Sequence, residues 1–141
     1  TILLYDLGVK FEAAAIAETL AEKGNQVNWV TPASTAGAEI DPTSIGPLRQ
    51  RLAQHNVQTT PEHSIVEVND EVVFLFNVLS HQVTAVPHID AIVIVGNKAS
   101  HNQLMQELAG QVPALYSGGD AVAPRNVYNA IVDGERIGRE I

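Results

Sequence analysis

Residues 1–20 constrain the fold more than any other stretch of the chain. Ile2, Leu3, Leu4 and Tyr5 form a short apolar run that stops at Asp6. Leu7-Gly8-Val9 follows as a turn. Phe11, Ala14, Ala15, Ile16, Ala17 and Leu20 then recur at helical spacing, with Glu12, Glu18, Glu22 and Lys23 among them. Gly24 suits the end of that helix, because glycine enters the left-handed conformation of a C-terminal cap without a steric penalty. Val27-Asn28-Trp29-Val30 reads as a second strand. Strand, glycine turn, helix and strand are the opening of a nucleotide-binding βαβ unit. Its helix N-terminus offers N–H groups and a partial positive charge to a pyrophosphate.

The dinucleotide fingerprint within this unit is incomplete. In a G-x-G-x-x-G frame, Asp6 takes the first position, Gly8 the second and Phe11 the third. A carboxylate at the first position repels a phosphate brought close to it. Phe11 is expected to hold the helix away from the strand, where glycine would let it approach. Thr31-Pro32 ends the second strand in place of the acidic residue that takes a ribose 2′-OH. Two readings therefore stand: a residual nucleotide site at Gly8 and Val9, or a tight βα turn and nothing more.

The length of 141 residues suits one domain, and 45% apolar residues supply a sizeable core. A net charge of −8, from 16 acidic and 8 basic residues, argues against nucleic acid or a membrane surface as partner, since both need clustered Lys and Arg. Without cysteine there is no disulfide, thiolate or cysteine-based metal chemistry, a composition compatible with the cytoplasm. No apolar run approaches the roughly 20 residues that span a bilayer. No signal peptide is visible and the first residue is Thr1, so a piece of a larger polypeptide is expected.

Further along, residues 33–44 are turn-rich and read as a long loop. Ser44 is placed to cap a helix over about residues 45–55, with Ile45, Leu48, Leu52 and Ala53 inside and Asn56 closing it. Residues 57–59 are short and β-like. From Ser64 the apolar period changes to two. Residues 65–68, 71–79 and 82–86 predict three antiparallel strands, the first pair joined at Asn69-Asp70. This meander interrupts an otherwise α/β pattern. Residues 90–96 then predict a fully buried strand of a parallel sheet. A short helix carries Leu104, Met105 and Leu108, and residues 113–116 predict one more strand. After the Gly118-Gly119-Asp120 turn, Pro124 is placed in the first turn of a final helix bearing Val127, Tyr128, Ile131 and Val132, with Gly134 and Gly138 weakening its second half. The fold class expected is a three-layer Rossmann-like α/β domain. Its mainly parallel sheet has helices on one face and the 64–86 meander on the other.

Other chemistries find little support. His55, His63, His81, His88 and His101 are scattered without metal-ligand spacing. Ser64, Ser80 and Ser117 lack a nucleophile elbow. Glu18 and Glu22, one helical turn apart, read as a solvated face.

The order of parts resembles the pyridine-nucleotide domain of two-dinucleotide flavoproteins. Gly119-Asp120-Ala121-Val122-Ala123-Pro124-Arg125, followed by Ala130-Ile131-Val132-Asp133-Gly134, is more specific. It resembles the C-terminal region of flavin oxidoreductases with an N-terminal old-yellow-enzyme barrel: trimethylamine and histamine dehydrogenases, 2,4-dienoyl-CoA reductases and N-methylproline demethylase-like proteins. Residues 2–32 look like their second βαβ. Residues 95–102 sit where that family has Ala-Thr-Gly-Arg-x-Pro-Asn, so Gly96 is kept, Asn97 replaces the arginine and Lys98 is the nearest substitute cation.

The resemblance implies a flavin-dependent oxidoreductase, either NAD(P)H-linked or amine-oxidising, of which this chain is a C-terminal part without activity alone. The alternative is a degenerate structural or interaction module that binds no nucleotide. Residues 1–117 correspond to the NAD(P)-binding-like domain, and 118–141 to a segment returning to an FAD- or ADP-type domain. The implied contacts are FAD or ADP at the turn of Gly119, Asp120 and Ala121, with Arg125 close by, and NAD(P)H at Gly8 and Val9. FMN and Fe–S belong to the barrel only. Asp120 reads either as an acceptor for a cofactor hydroxyl or as a cap-like turn residue, and Arg125 either as a ligand to an anion or as a solvated arginine. The partners implied are the barrel and FAD-type domain of the same polypeptide, or a second copy of the chain.

Overall fold

The computed structural model describes every residue from Thr1 to Ile141 except Val9 and Glu71. It divides into two compact units, residues 1–97 and 98–141. The first unit contains the strands β1 (Ile2–Asp6), β2 (Val27–Val30), β3 (Gln58–Thr60), β4 (His63–Val68), β5 (Val72–Asn77), β6 (Val83–Pro87) and β7 (Ala91–Val95), with the helices α1 (Phe11–Glu22) and α2 (Pro42–Gln54). The second contains the helices α3 (Gln103–Leu108) and α4 (Val127–Glu140), with a 3₁₀ turn at Gly119–Ala121 between them.

The fold of the first unit is Rossmann-like. β3, β2, β1 and β7 form a parallel sheet in that order. β4, β5 and β6 form the antiparallel meander, with a register shift between Ile65 and Glu67. Successive strand side chains point to opposite faces, so neighbouring residues enter different cores. Leu4 and Trp29 join Ala13, Ala14, Ala17, Leu48 and Leu52 on the helix side. Leu3 and Val30 join Val73 and Leu75 of the meander on the other. Truncating Leu3 or Leu4 to alanine would cost about 2–5 kcal/mol in either core.

Local chemistry accounts for where the elements end. α1 packs closely through alanines; Phe11 is half exposed and does not hold the helix off the strand, contrary to expectation. Gly24 follows the α1 terminus at φ +85°. α2 starts earlier than the Ser44 cap implies, because Asp41 accepts the Thr43 and Ser44 N–H groups at 3.1 and 3.0 Å and Pro42 takes the first helical position. Those bonds hold the Asp41 carboxyl down at about 2. Ala53 is exposed, whereas Leu48 and Leu52 are buried. Glu18 of α1 pairs with Arg51 of α2, which holds the Glu18 carboxyl below its usual range.

Three strand expectations need correction. β7 is not fully buried: it lies at the sheet edge, pairs only with β1 among the described residues, and exposes 66% of Ile94. Residues 113–116 form no strand, since a strand exists only through a ladder partner and none is present among the described residues. The second meander strand ends at Asn77 rather than 79, where the Asn77 side chain turns the backbone by accepting the Leu79 and Ser80 N–H groups. The final helix also begins later than expected. Pro124 lies before it, and Asn126 caps it by accepting the Asn129 N–H at 3.0 Å. Gly134 and Gly138 do not interrupt it; ion pairs of Arg136 with Glu140 and Arg139 with Glu135 span its last turns.

Candidate functional site

The β1–α1 turn is built around a carboxylate. Asp6 ends β1 fully buried. Its Oδ1 accepts the Gly8 N–H at 2.9 Å, and its Oδ2 accepts the Trp29 indole N–H at 3.1 Å. The bond to Gly8 is an Asx-type closure of the turn upon itself. The Gly8 N–H, which a pyrophosphate would need, is thus taken by an internal anion. A Cβ on Gly8 would find that same oxygen at 3.7 Å, ordinary contact, so glycine is not demanded here by lack of space. The expected contact at Val9 lies outside the described residues. Lys10 precedes α1 without a side-chain cap. Gly96 follows β7, and a Cβ there would meet Ile94 no closer than 4.0 Å.

In the second unit the turn that carries Asp120 is held from behind. Gly119 has φ +59°, a conformation glycine adopts freely, and its N–H donates to Asp133 Oδ2 at 3.0 Å. Arg125 Nη2 donates to that same oxygen at 2.5 Å, and its Nε donates to the Ala123 carbonyl at 3.2 Å. Arg125 is therefore neither in the first helical turn nor simply solvated: it reaches a carboxylate, and the carboxylate is Asp133 of α4. A Cβ on Gly118 would stand 3.0 Å from Ile137 Cδ1 and 3.2 Å from Asp133 Cβ, so the backbone lies tight against α4.

This arrangement leaves Asp120 exposed. Lys98, Ala99, His101, Asp120, Ala121 and Pro124 line a cavity of about 330 Å³. A carboxylate there accepts from hydroxyls, and the lysine attracts a phosphate. The Ser117 hydroxyl, just before the turn, is buried without a partner among the described residues.

Sequence reasoning missed Asp133 as the residue that holds the turn, and Trp29 as the second partner of Asp6. Asp133 stood in the quoted motif, and a carboxylate one helix away from two glycines was the available signal. Among the described residues, no group of three or more His, Asp or Glu side chains is placed to hold a metal ion. None of the described helices is long and apolar enough to cross a membrane.

No family model matches the chain. A metal reductase of Desulforamulus reducens is 32% identical over 112 residues, covering 79% of this chain and 16% of that protein. Among solved structures, histamine dehydrogenase from Rhizobium sp. 4-9 superposes with a TM-score of 0.88 at 22% identity, over 99% of this chain and 23% of its own. The 6-hydroxypseudooxynicotine amine oxidase of Pseudomonas geniculata N1 gives 0.86 at 20% identity, over 97% of this chain and 21% of its own. The resemblance to this flavoprotein group, carried in the sequence by residues 119–134, is thus matched in fold. The chain spans less than a quarter of the length of each of these proteins.

Proposed function

We propose that this chain is the C-terminal nucleotide-binding-type domain of a larger flavin-dependent oxidoreductase, and that its β1–α1 turn takes no pyridine nucleotide. The observation that carries the second part is the buried Asp6 carboxylate on the Gly8 N–H. A pyrophosphate would have to displace that carboxylate and then lie beside its charge, a repulsion strengthened by burial. The first part is supported by the fold shared with amine-oxidising flavoproteins and by identity to a metal reductase.

In this reading the Gly118–Arg125 turn serves a flavin or ADP held by a neighbouring domain of the same polypeptide. Asp120 accepts from a hydroxyl, and Lys98 stands beside it for a phosphate. Gly119 and Ala121 supply the backbone that places Asp120, and Arg125 braces that backbone through Asp133. The cofactor supplies the redox chemistry; this chain's residues only bind and orient. FMN and Fe–S chemistry, and any catalytic group, belong to the barrel of the longer protein. The exposed apolar residues of α4 (Val127, Tyr128 and Ile131) suit contact with those other parts.

Calorimetric titration of NADH and NADPH into the chain tests the closed turn. The expected result is no saturable heat up to about 1 mM ligand. Saturable binding, with amide shifts centred on Gly8, would instead establish the NAD(P)H-linked reading.

A further inference from the structure

The outer strands of the two sheets, β3, β7, β4 and β6, are not alike. β3 offers an edge of three residues, all polar. β4 carries the register shift between Ile65 and Glu67, and β6 ends at Pro87. Short length, a bulge and a proline are ordinary ways to blunt a sheet edge. β7 has none of them. Its sequence is Ala-Ile-Val-Ile-Val, without a charge, and Ile94 on it is exposed.

The ladder with β1 decides which backbone groups of β7 face outward. The Val95 carbonyl accepts the Leu7 N–H at 2.8 Å, so Val95 turns its polar groups to the β1 side. The N–H and C=O of one residue point the same way and alternate along a strand, so Ile92 and Ile94 turn theirs to the open edge. On the helix face, Val93 and Val95 pack on the same core as Ile16 and Leu20 of α1. On the meander face, Ile92 packs on the core of Leu3 and Val73. Glu18 marks the flank of α1 that meets α2, through its pair with Arg51. Ile16 and Leu20 lie roughly 160° round the helix from it, on the flank away from α2. Glu12 and Lys23 stand at the two ends of that flank.

We propose that β7 is the docking edge for a second copy of this chain, antiparallel about Val93, so that the parallel sheet of each copy continues into that of the other. The strand is complementary to itself in this register. Ile92 of one copy faces Ile94 of the other, and their outward N–H and C=O groups exchange hydrogen bonds in both directions. Val93 meets Val93 at the two-fold axis. That axis stands normal to the sheet, so helix face continues helix face. The two α1 helices then run antiparallel, with Ile16 and Leu20 turned toward their counterparts and Glu12 of one copy toward Lys23 of the other.

Sedimentation equilibrium of the 141-residue chain tests this. A monomer–dimer equilibrium with Kd on the order of 10–100 µM is expected, with amide exchange at Ile92 and Ile94 slowing as concentration rises. Ile94→Lys changes an exposed side chain, leaves both cores intact, and should weaken the dimer at least about tenfold. Glu12→Lys lowers the net negative charge of each copy, yet should weaken the dimer about three- to tenfold; adding Lys23→Glu should restore it. A monomer up to about 500 µM would leave the edge to some other polypeptide and overturn the proposal. So would a dimer that Ile94→Lys leaves intact, which would put the interface elsewhere, or one that Glu12→Lys tightens.

Discussion

At the β1–α1 turn, the carboxylate that takes a glycine N–H belongs to the turn itself; at the Gly118–Arg125 turn it comes from a helix fourteen residues downstream. The bonds are nearly equal, 2.9 Å to Gly8 and 3.0 Å to Gly119. The surfaces they leave are opposite. Asp6 is spent inward on Gly8 and Trp29. Asp133 fastens its turn from behind, and the turn's own acid, Asp120, faces solvent. Where a glycine turn's internal acceptor comes from thus decides whether the turn's own acid is buried or exposed, and counting glycines does not report this.

The contrast is broken most sharply at Asp6. Asp6→Ala leaves the Gly8 amide and the Trp29 indole without an acceptor in a buried place, and should cost roughly 2–4 kcal/mol in urea denaturation. A loss under about 0.5 kcal/mol would show that the carboxylate does not close the turn. Asp120→Ala should do the reverse. Stability of the chain should be unchanged within about 0.5 kcal/mol, while in the longer polypeptide flavin or ADP retention falls roughly 10–100-fold. Cofactor content per folded molecule measures this, and wild-type content would remove Asp120 from the proposed site.

Smaller and more local is Asp133→Ala, which unfastens both Gly119 and Arg125. Faster amide exchange at Gly119, equivalent to about 1–3 kcal/mol of lost protection, is expected without a matching change at Leu3 or Leu4. The smallest effect is one of pH. Asp41 is lowered in the folded chain to about 2 from an ordinary 3.8. Its contribution is therefore complete above the ordinary value and is lost as pH falls towards the folded one. Between those limits the Thr43 and Ser44 amide resonances should shift and exchange faster, and Asp41→Asn should flatten that response.

The sequence made the layers legible because hydrophobic period is a local property. The switch from helical spacing to alternation placed the meander at residues 64–86, within one residue of the observed His63–Pro87 at either end, and Leu3 and Leu4 divided between the two faces as alternation requires. What it misplaced depends on partners distant in the chain. β7 is as apolar as a buried strand, yet only pairing decides that it lies at an edge. Residues 113–116 have strand composition and no ladder. Phe11 sits at apolar spacing, but alanines make the close contact. At the candidate sites, Gly119 and Asp120 were legible as a turn. The support from Asp133 and the engagement of Asp6 by Trp29 were not, because both join residues that no short motif relates.

The place of β1 in the sheet also sets an order of events during synthesis. Its ladder with β2 joins Ile2 to Val27, but its ladder with β7 joins Ile2 to Ala91. The meander hairpins close over much shorter loops, as Val68 beside Val73 shows. Local contacts form first and long loops close late. At about 5–20 residues per second, β1 waits roughly 5–20 s for β7 to be made. Throughout that interval one side of the central strand presents unpaired backbone groups, and any other extended segment within reach can take the position that β7 is destined to fill.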